Sequence, residues 1–439
     1  MRGVLRTAVL TPAAVLTATA ALALSGCAGG TEPIDILSAG GWPGRYSDAR
    51  NSSTSAADGL PDVSPAWTRS VGGTIGSPPS ISASGQIFVS ASTDAGCNLF
   101  SYQLDTGRKR WCTRIAPGVS VATPVADSVA NVYIGEEGGM YSFNEHGQRR
   151  WRIPVSGTPR SAQFTGDGNL LVVTHFGQVT VVDTQTGRLV APIYDLVRVP
   201  TVTDGTDVPR NTPDHGLAAC FGGSPDCPVA TTPAVDLATG RILVTLWRPG
   251  ADRAALVALR YTGGDDARIA AEWSLDDLPG GAVTSPVLSA DGTTAYVHDG
   301  DGTLWAIDTA SGSARWSHDP GYVTSTGPAV TADGTILLAG GSADGPLVAL
   351  RDAGDHTETL WERDDVRQLG AVAAAADGVA YTVARAPDGL AALVFDTSDG
   401  TTLDQETLSG ASGFAVGTAI GPGGELLATT LLGDLYTLR

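Results

Sequence analysis

Hydrophobic and polar positions alternate in short runs along most of this chain, most clearly over Leu304–Trp316. One run reaches Asp308, Ser311-Gly312 make a tight reversal, and a second run closes on Trp316. Alternation fits a strand with one buried face, and glycine supplies the positive φ that the reversal needs. Inner-strand material follows at Thr324–Val330, another strand at Ile336–Ala339, and then the hairpin pattern starts again.

The restart has a period. Turn glycines fall at Gly107, Gly147 and Gly187, two steps of 40 residues, and at Gly312, Gly354 and Gly400, steps of 42 and 46. Second hairpin strands end on Trp111, Trp151, Trp273, Trp316 and Trp361, and Trp67 fills the same slot at the front. A period of about 40–50 residues with several short strands per copy predicts a propeller, whereas a β-sandwich carries no fixed period. Innermost strands are read at Ser77-Pro78, Thr123-Pro124, Thr232-Pro233, Ser285-Pro286 and Gly327-Pro328, with less regular copies at Arg160-Ser161, Gly370-Ala371 and Gly417-Thr418. Small residues suit a crowded axis, and proline fits at strand starts. At the end, Leu435–Arg439 reads as a first hairpin strand without its partner, and Pro65–Arg69 as that partner. The expected fold is therefore all-β. It is an eight-bladed β-propeller of four-stranded antiparallel blades over residues 65–439, its ring closed by pairing the N- and C-terminal strands.

This unit resembles the repeat of the quinoprotein (PQQ-like) propeller family, an Ala-x-Asp-x-x-Thr-Gly followed four residues later by Trp. Ala306, Asp308, Ser311, Gly312 and Trp316 match it. Ser101, Gln103, Thr106, Gly107 and Trp111 form a degenerate copy, and Val181, Asp183, Thr186 and Gly187 another, with Ala191 where the tryptophan would sit. Trp42-Pro43, Asp48 and Asn51-Ser52 are similar to the segment that precedes the first blade in this family, which implies a segment lying against the propeller.

Residues 1–26 carry Arg2 and Arg6, an apolar stretch from Ala8 to Leu24, and Ser25-Gly26 before Cys27. A basic head, apolar body and small residues before a cut describe a secretory signal. The Leu-Ser-Gly-Cys ending looks like a bacterial lipobox, which implies an acylated Cys27 and anchoring in the cell envelope on the extracytoplasmic side. Each buried lipid CH₂ contributes about 0.8 kcal/mol, so several acyl chains anchor stably. Residues 27–64 are then a Gly/Ser/Asp/Pro-rich tether. Removing the signal takes away two arginines and no acids, moving the net charge from −19 to −21. Such a chain repels nucleic acid and anionic headgroups.

Residues 192–229 break the period with an insertion rich in Pro, Gly and Asp. In a propeller, such between-blade connections emerge on one face together with the turns of the middle hairpins. Long loops on a rigid scaffold are where function concentrates. The candidate ligand or partner face accordingly includes Arg160, His175, His215 and Arg248. Arg160 stands where a small residue heads the other inner strands, so its guanidinium is expected at the axial mouth, suited to a carboxylate or phosphate.

The cysteines fit an oxidising compartment. With Cys27 acylated, three pairings of the other four are possible. Cys220 with Cys227 would staple the insertion, leaving Cys97 for Cys112. The expected hairpin register sets Cys112 opposite Ser101, which leaves Cys97 about 13 Å away along the strand. A disulfide needs Cα atoms within about 7 Å, so the loop before the strand would have to fold back.

Quinoprotein dehydrogenases of the family carry an adjacent Cys-Cys pair and a calcium site. No Cys-Cys dipeptide and no Cys-x-x-Cys-His occurs in this sequence. Asp299-Gly300-Asp301-Gly302 lacks the later ligands of a calcium loop and reads as a turn. No nucleophile, base and orienter assemble, and no cofactor is expected, with PQQ plus calcium as the alternative. The resemblance to the family's lipoprotein branch, which serves the outer-membrane β-barrel assembly machine, implies a monomeric, non-enzymatic scaffold for a cell-envelope protein partner. The rival reading is a divergent PQQ-dependent dehydrogenase or a small-ligand-binding propeller.

Overall fold

The computed structural model describes Gly3 and residues 35–37, 40–94, 96–115, 122–198, 217, 220, 224, 226–282, 284–324, 326–338 and 345–439. These residues form eight four-stranded antiparallel sheets, each a blade of one ring. In the fifth blade the strands are Val287–Leu288, Thr294–His298, Leu304–Asp308 and Ala314–His318, running outward in chain order.

The predicted hairpin forms because its turn is over-determined. The Asp308 carboxylate accepts from the backbone N–H groups of Ala310 and Ser311 and from the Ser311 hydroxyl. Gly312, at φ 76°, donates its N–H to the Asp308 carbonyl at 2.8 Å. A bulge then skips one residue, setting Trp316 opposite Ala306 and Ala314 opposite Ile307. The bulge bends the outer strand and turns its tryptophan over the neighbouring blade.

The same bulge corrects the register expected in the first blade. Trp111 lies opposite Ser101, and Cys112 opposite Phe100. The preceding loop does fold back over the sheet: Ala91 donates to the Asn98 carbonyl and Asn98 to that of Thr113. The Cys97 and Cys112 Cα atoms thereby come within 5.6 Å, and the pair is bonded.

Burial follows position in the ring. Second and third strands such as Leu170–Thr174 and Gln178–Val182 are buried throughout, because blades cover both of their faces. Outer strands alternate, as in Arg149–Pro154, where Trp151 is buried and Arg149 and Arg152 face water.

The eighth blade is assembled from both ends. Ala415–Ile420, Leu426–Thr430 and Asp434–Leu438 take Pro65–Ser70 as their outer strand. Trp67 pairs with Thr437 and Arg69 with Leu435. Ser64 and Arg439 exchange two backbone hydrogen bonds of 3.0 Å. A continuous apolar core crosses the seam, including Trp67, Ile87, Tyr381, Ile420 and Leu438.

Before reaching that strand the chain circles the axis. Inner strands run from the face bearing the blade-to-blade connections, termed upper, to the opposite, lower face. At the lower mouth, Ala126 donates its N–H to Pro43, Val235 to Ala49, Leu288 to Arg50, Val330 to Ser52 and Ala374 to Ser53. Each inner strand is a sheet edge, and the segment pairs with those edges one blade after another. Asn51 sits fully buried on this circuit at φ 59°. Its Nδ2 donates to the carbonyls of Thr232 and Pro286, and its Oδ1 accepts from Gln163 Nε2 at 2.8 Å. Asp48 fixes the turn, accepting from the N–H groups of Arg50 and Ser52.

Candidate functional site

Arg160 heads the third blade's inner strand, Pro159–Phe164, at the upper mouth. Its Nη1 donates to the Cys220 carbonyl at 3.2 Å and the Ala230 carbonyl at 2.6 Å. The insertion is thus moored to the axis through this guanidinium, close to the Cys220–Cys227 disulfide, whose Cα atoms are 5.2 Å apart. Arg160 Nε is sealed from solvent and has no acceptor among the described residues. Burial, with a smaller contribution from the Arg45 charge, lowers its pKa to about 10, so it stays charged at neutral pH.

Tyr46 rises from the lower circuit into the same space and is buried. The Arg45 guanidinium carbon lies 5.5 Å from the centre of its ring. Ser285 Oγ accepts from the Thr232 N–H at 2.9 Å and donates to the Tyr46 hydroxyl at 3.4 Å. Burial alone would raise the Tyr46 pKa. The Arg45 charge, hydrogen bonds from Ser285 and Arg45, and the Arg160 charge outweigh it, and the net shift is downward.

The other predicted face residues separate. His175 is buried, so its ring offers no surface to a partner, which corrects the expectation from its turn position. Its Nδ1 accepts from the Thr158 N–H at 2.8 Å, and its ring lies 3.9 Å from that of Phe176. Its carbonyl accepts from Val229, which stitches the end of the insertion down. Arg248 is on the upper face, held by Asp276 and by Ser274 Oγ. His215 and Cys27 lie outside the described residues. Asp299 is buried and fully engaged in its turn, accepting from Asp301 N, Thr303 N and Trp305 Nε1.

The sequence reading missed a second feature of the upper face. In the eighth blade, Phe414, Leu431 and Leu432 are exposed by 53%, 42% and 57%. Leu431 donates its N–H to the Phe414 carbonyl, which joins the two loops. The signal was present: a Leu-Leu pair in a turn, where polar residues and glycine are usual.

The family described as "Outer membrane protein assembly factor BamB" matches this chain over residues 61–167 and 230–421. Protein Rv3035 of Mycobacterium tuberculosis (strain ATCC 25618 / H37Rv) is 40% identical over 420 residues, covering 94% of this chain and 99% of that protein. Among solved structures, BamB from Moraxella catarrhalis superposes with a TM-score of 0.55 at 15% identity, covering 86% of this chain and 100% of that one. The quinohemoprotein alcohol dehydrogenase from Comamonas testosteroni gives 0.65 at 14% identity, over 92% and 81%. At such identities the two structures share the fold alone. Repeat, eight-bladed ring and family match agree: this chain belongs to the BamB family of PQQ-like β-propellers.

Proposed function

We propose that this chain is a lipid-anchored, non-enzymatic scaffold of the bacterial cell envelope that holds a protein partner on its upper face. The observation that carries this reading is the exposed cluster of Phe414, Leu431 and Leu432, mounted on two turns of a rigid blade. Exposed apolar groups on an otherwise charged surface mark interaction sites. BamB itself is described as an outer-membrane protein assembly factor, which supports a partner-holding role.

The axial groups named above offer a calcium ion no carboxylate. Calcium takes oxygen ligands, carboxylates above all, while the groups described at the upper mouth are Arg45, Tyr46, Arg160 and Ser285. No enzymatic step is derived from them.

A photo-crosslinking side chain in place of Leu432 should trap one discrete envelope protein in intact cells. The same group at the outer strand, in place of Arg149, should not. Equal labelling from both positions, or none from 432, defeats the reading. Separately, Cys27→Ser should move the protein from membranes to the soluble fraction, and an unchanged distribution would remove the anchor.

A further inference from the structure

Two arginines share the upper axis without a carboxylate. Several guanidinium groups in this acidic protein have acidic partners: Arg152 has Glu136, Arg241 and Arg260 have Glu272, and Arg315 has Asp308. Among the described residues, neither Arg45 nor Arg160 forms an ion pair with an Asp or Glu. Each is close enough to the other for Arg45 to disfavour the charge on Arg160. Like charges in a partly desolvated space repel, and proteins avoid the arrangement unless a counter-charge joins them.

The hydrogen-bond directions point the same way. Thr232 N–H donates to Ser285 Oγ, and Ser285 donates to the Tyr46 hydroxyl, so the Tyr46 oxygen is occupied as an acceptor. Its own proton has no acceptor among the described residues. Arg160 Nε–H likewise has none. Arg160 Nη1 holds its two carbonyls and Arg45 bonds the Tyr46 hydroxyl, which leaves Arg160 Nε–H and the Tyr46 proton as the axial donors without an acceptor among the described residues.

We propose that the upper mouth of the axis binds one small oxyanion, a carboxylate- or phosphate-bearing group, between Arg45 and Arg160 with the Tyr46 hydroxyl as third donor. A planar guanidinium fork matches either oxyanion, and charge-assisted hydrogen bonds are the strong kind. Arg45 is partly exposed, which leaves the anion an approach. The site also ties three parts of the chain together: the N-terminal circuit through Arg45 and Tyr46, the fifth blade through Ser285, and the insertion through Arg160. The proposal goes beyond the scaffold reading and does not depend on it.

The test is calorimetric titration of the full chain with inorganic phosphate and with succinate, using chloride at matched ionic strength as control. One saturable site is expected for at least one anion, and which one binds separates a phosphate from a carboxylate site. Arg45→Gln should weaken that affinity at least tenfold, and Tyr46→Phe several-fold. Arg160→Gln should abolish binding, but it also frees the insertion from its two carbonyl contacts. Arg45→Gln and Tyr46→Phe, checked for unchanged melting without anion, therefore carry the decision. Heat no larger than the chloride control for both anions, or affinities unaltered in both variants, overturns the site.

Discussion

Trp111 of the first blade lies flat on Gly147 of the second. A Cβ added to Gly147 would fall 2.6 Å from Trp111 Cδ2, and the indole Nε1 donates to the Glu145 carbonyl at 2.7 Å in the same turn. The contact recurs between Trp67 and Gly107, Trp151 and Gly187, Trp273 and Gly312, and Trp361 and Gly400. Each time the indole donates to a carbonyl of that turn. Tryptophan and glycine keep their spacing because each blade clamps the next. Trp316 departs, donating to Asp352 Oδ1 at 2.8 Å over a turn with different residues.

Gly147→Ala should cost about 1–3 kcal/mol. The backbone is held at φ 79°, which disfavours alanine, and the new methyl group must displace the indole. The urea midpoint should fall with little change in slope. A midpoint equal to that of the parent would mean the clamp contributes nothing.

Removing Leu435–Arg439 should open the ring. Leu435, Tyr436 and Leu438 are buried, and burying such side chains contributes about 1.5–3 kcal/mol each. The strand also supplies the only ladder partner that Pro65–Ser70 has among the described residues. Thermal melting should shift down steeply or lose cooperativity. An unchanged melting temperature would contradict closure by the two ends.

Asn51→Ala should destabilise by about 2–4 kcal/mol, because it strands the Thr232 and Pro286 carbonyls and places alanine at a positive φ. Asn51→Gly relieves the backbone alone and should recover only part of the loss. Full recovery by glycine would show that the side chain's hydrogen bonds are dispensable.

Stability should decline in mildly acidic solution. Burial, with a smaller push from His318, holds His298 at about 3 against its ordinary 6.5. The unfolded chain then takes up this proton first. Stability is full above pH 6.5 and falls by about 1.4 kcal/mol per pH unit as the pH drops toward 3. His318, also lowered by burial, adds to the same window. Asp308, held near 2 chiefly by Arg315, matters only below pH 4. Neither His298 nitrogen has a hydrogen-bond partner among the described residues, so His298→Leu should be neutral or slightly stabilising at pH 7 and should flatten the acid slope. An unaltered slope would assign the effect elsewhere.

Much of the ring was legible beforehand. The hairpin, its turn aspartate and glycine, and the closing tryptophan are local features, set by φ preference and side-chain reach over a dozen residues. Their recurrence across the chain implied blades, and the unpaired terminal strands implied closure. The candidate site was less legible. Arg160 stood out as a large residue in a small-residue slot, but its neighbours Arg45 and Tyr46 are more than 100 residues away in sequence. His175 occupies a turn that reads as exposed, and the insertion's return through Val229 buries it.

By itself, then, the sequence determined the repeat, the number of blades, the seam and the acidic surface, because each follows from short-range patterning or from composition. Only the tertiary structure decided where the bulge places Cys112, how a Gly/Ser-rich lead-in threads the lower mouth, and which charged groups meet at the axis. Those outcomes depend on sheet edges and cations converging from distant segments, and no periodicity along the chain encodes that convergence.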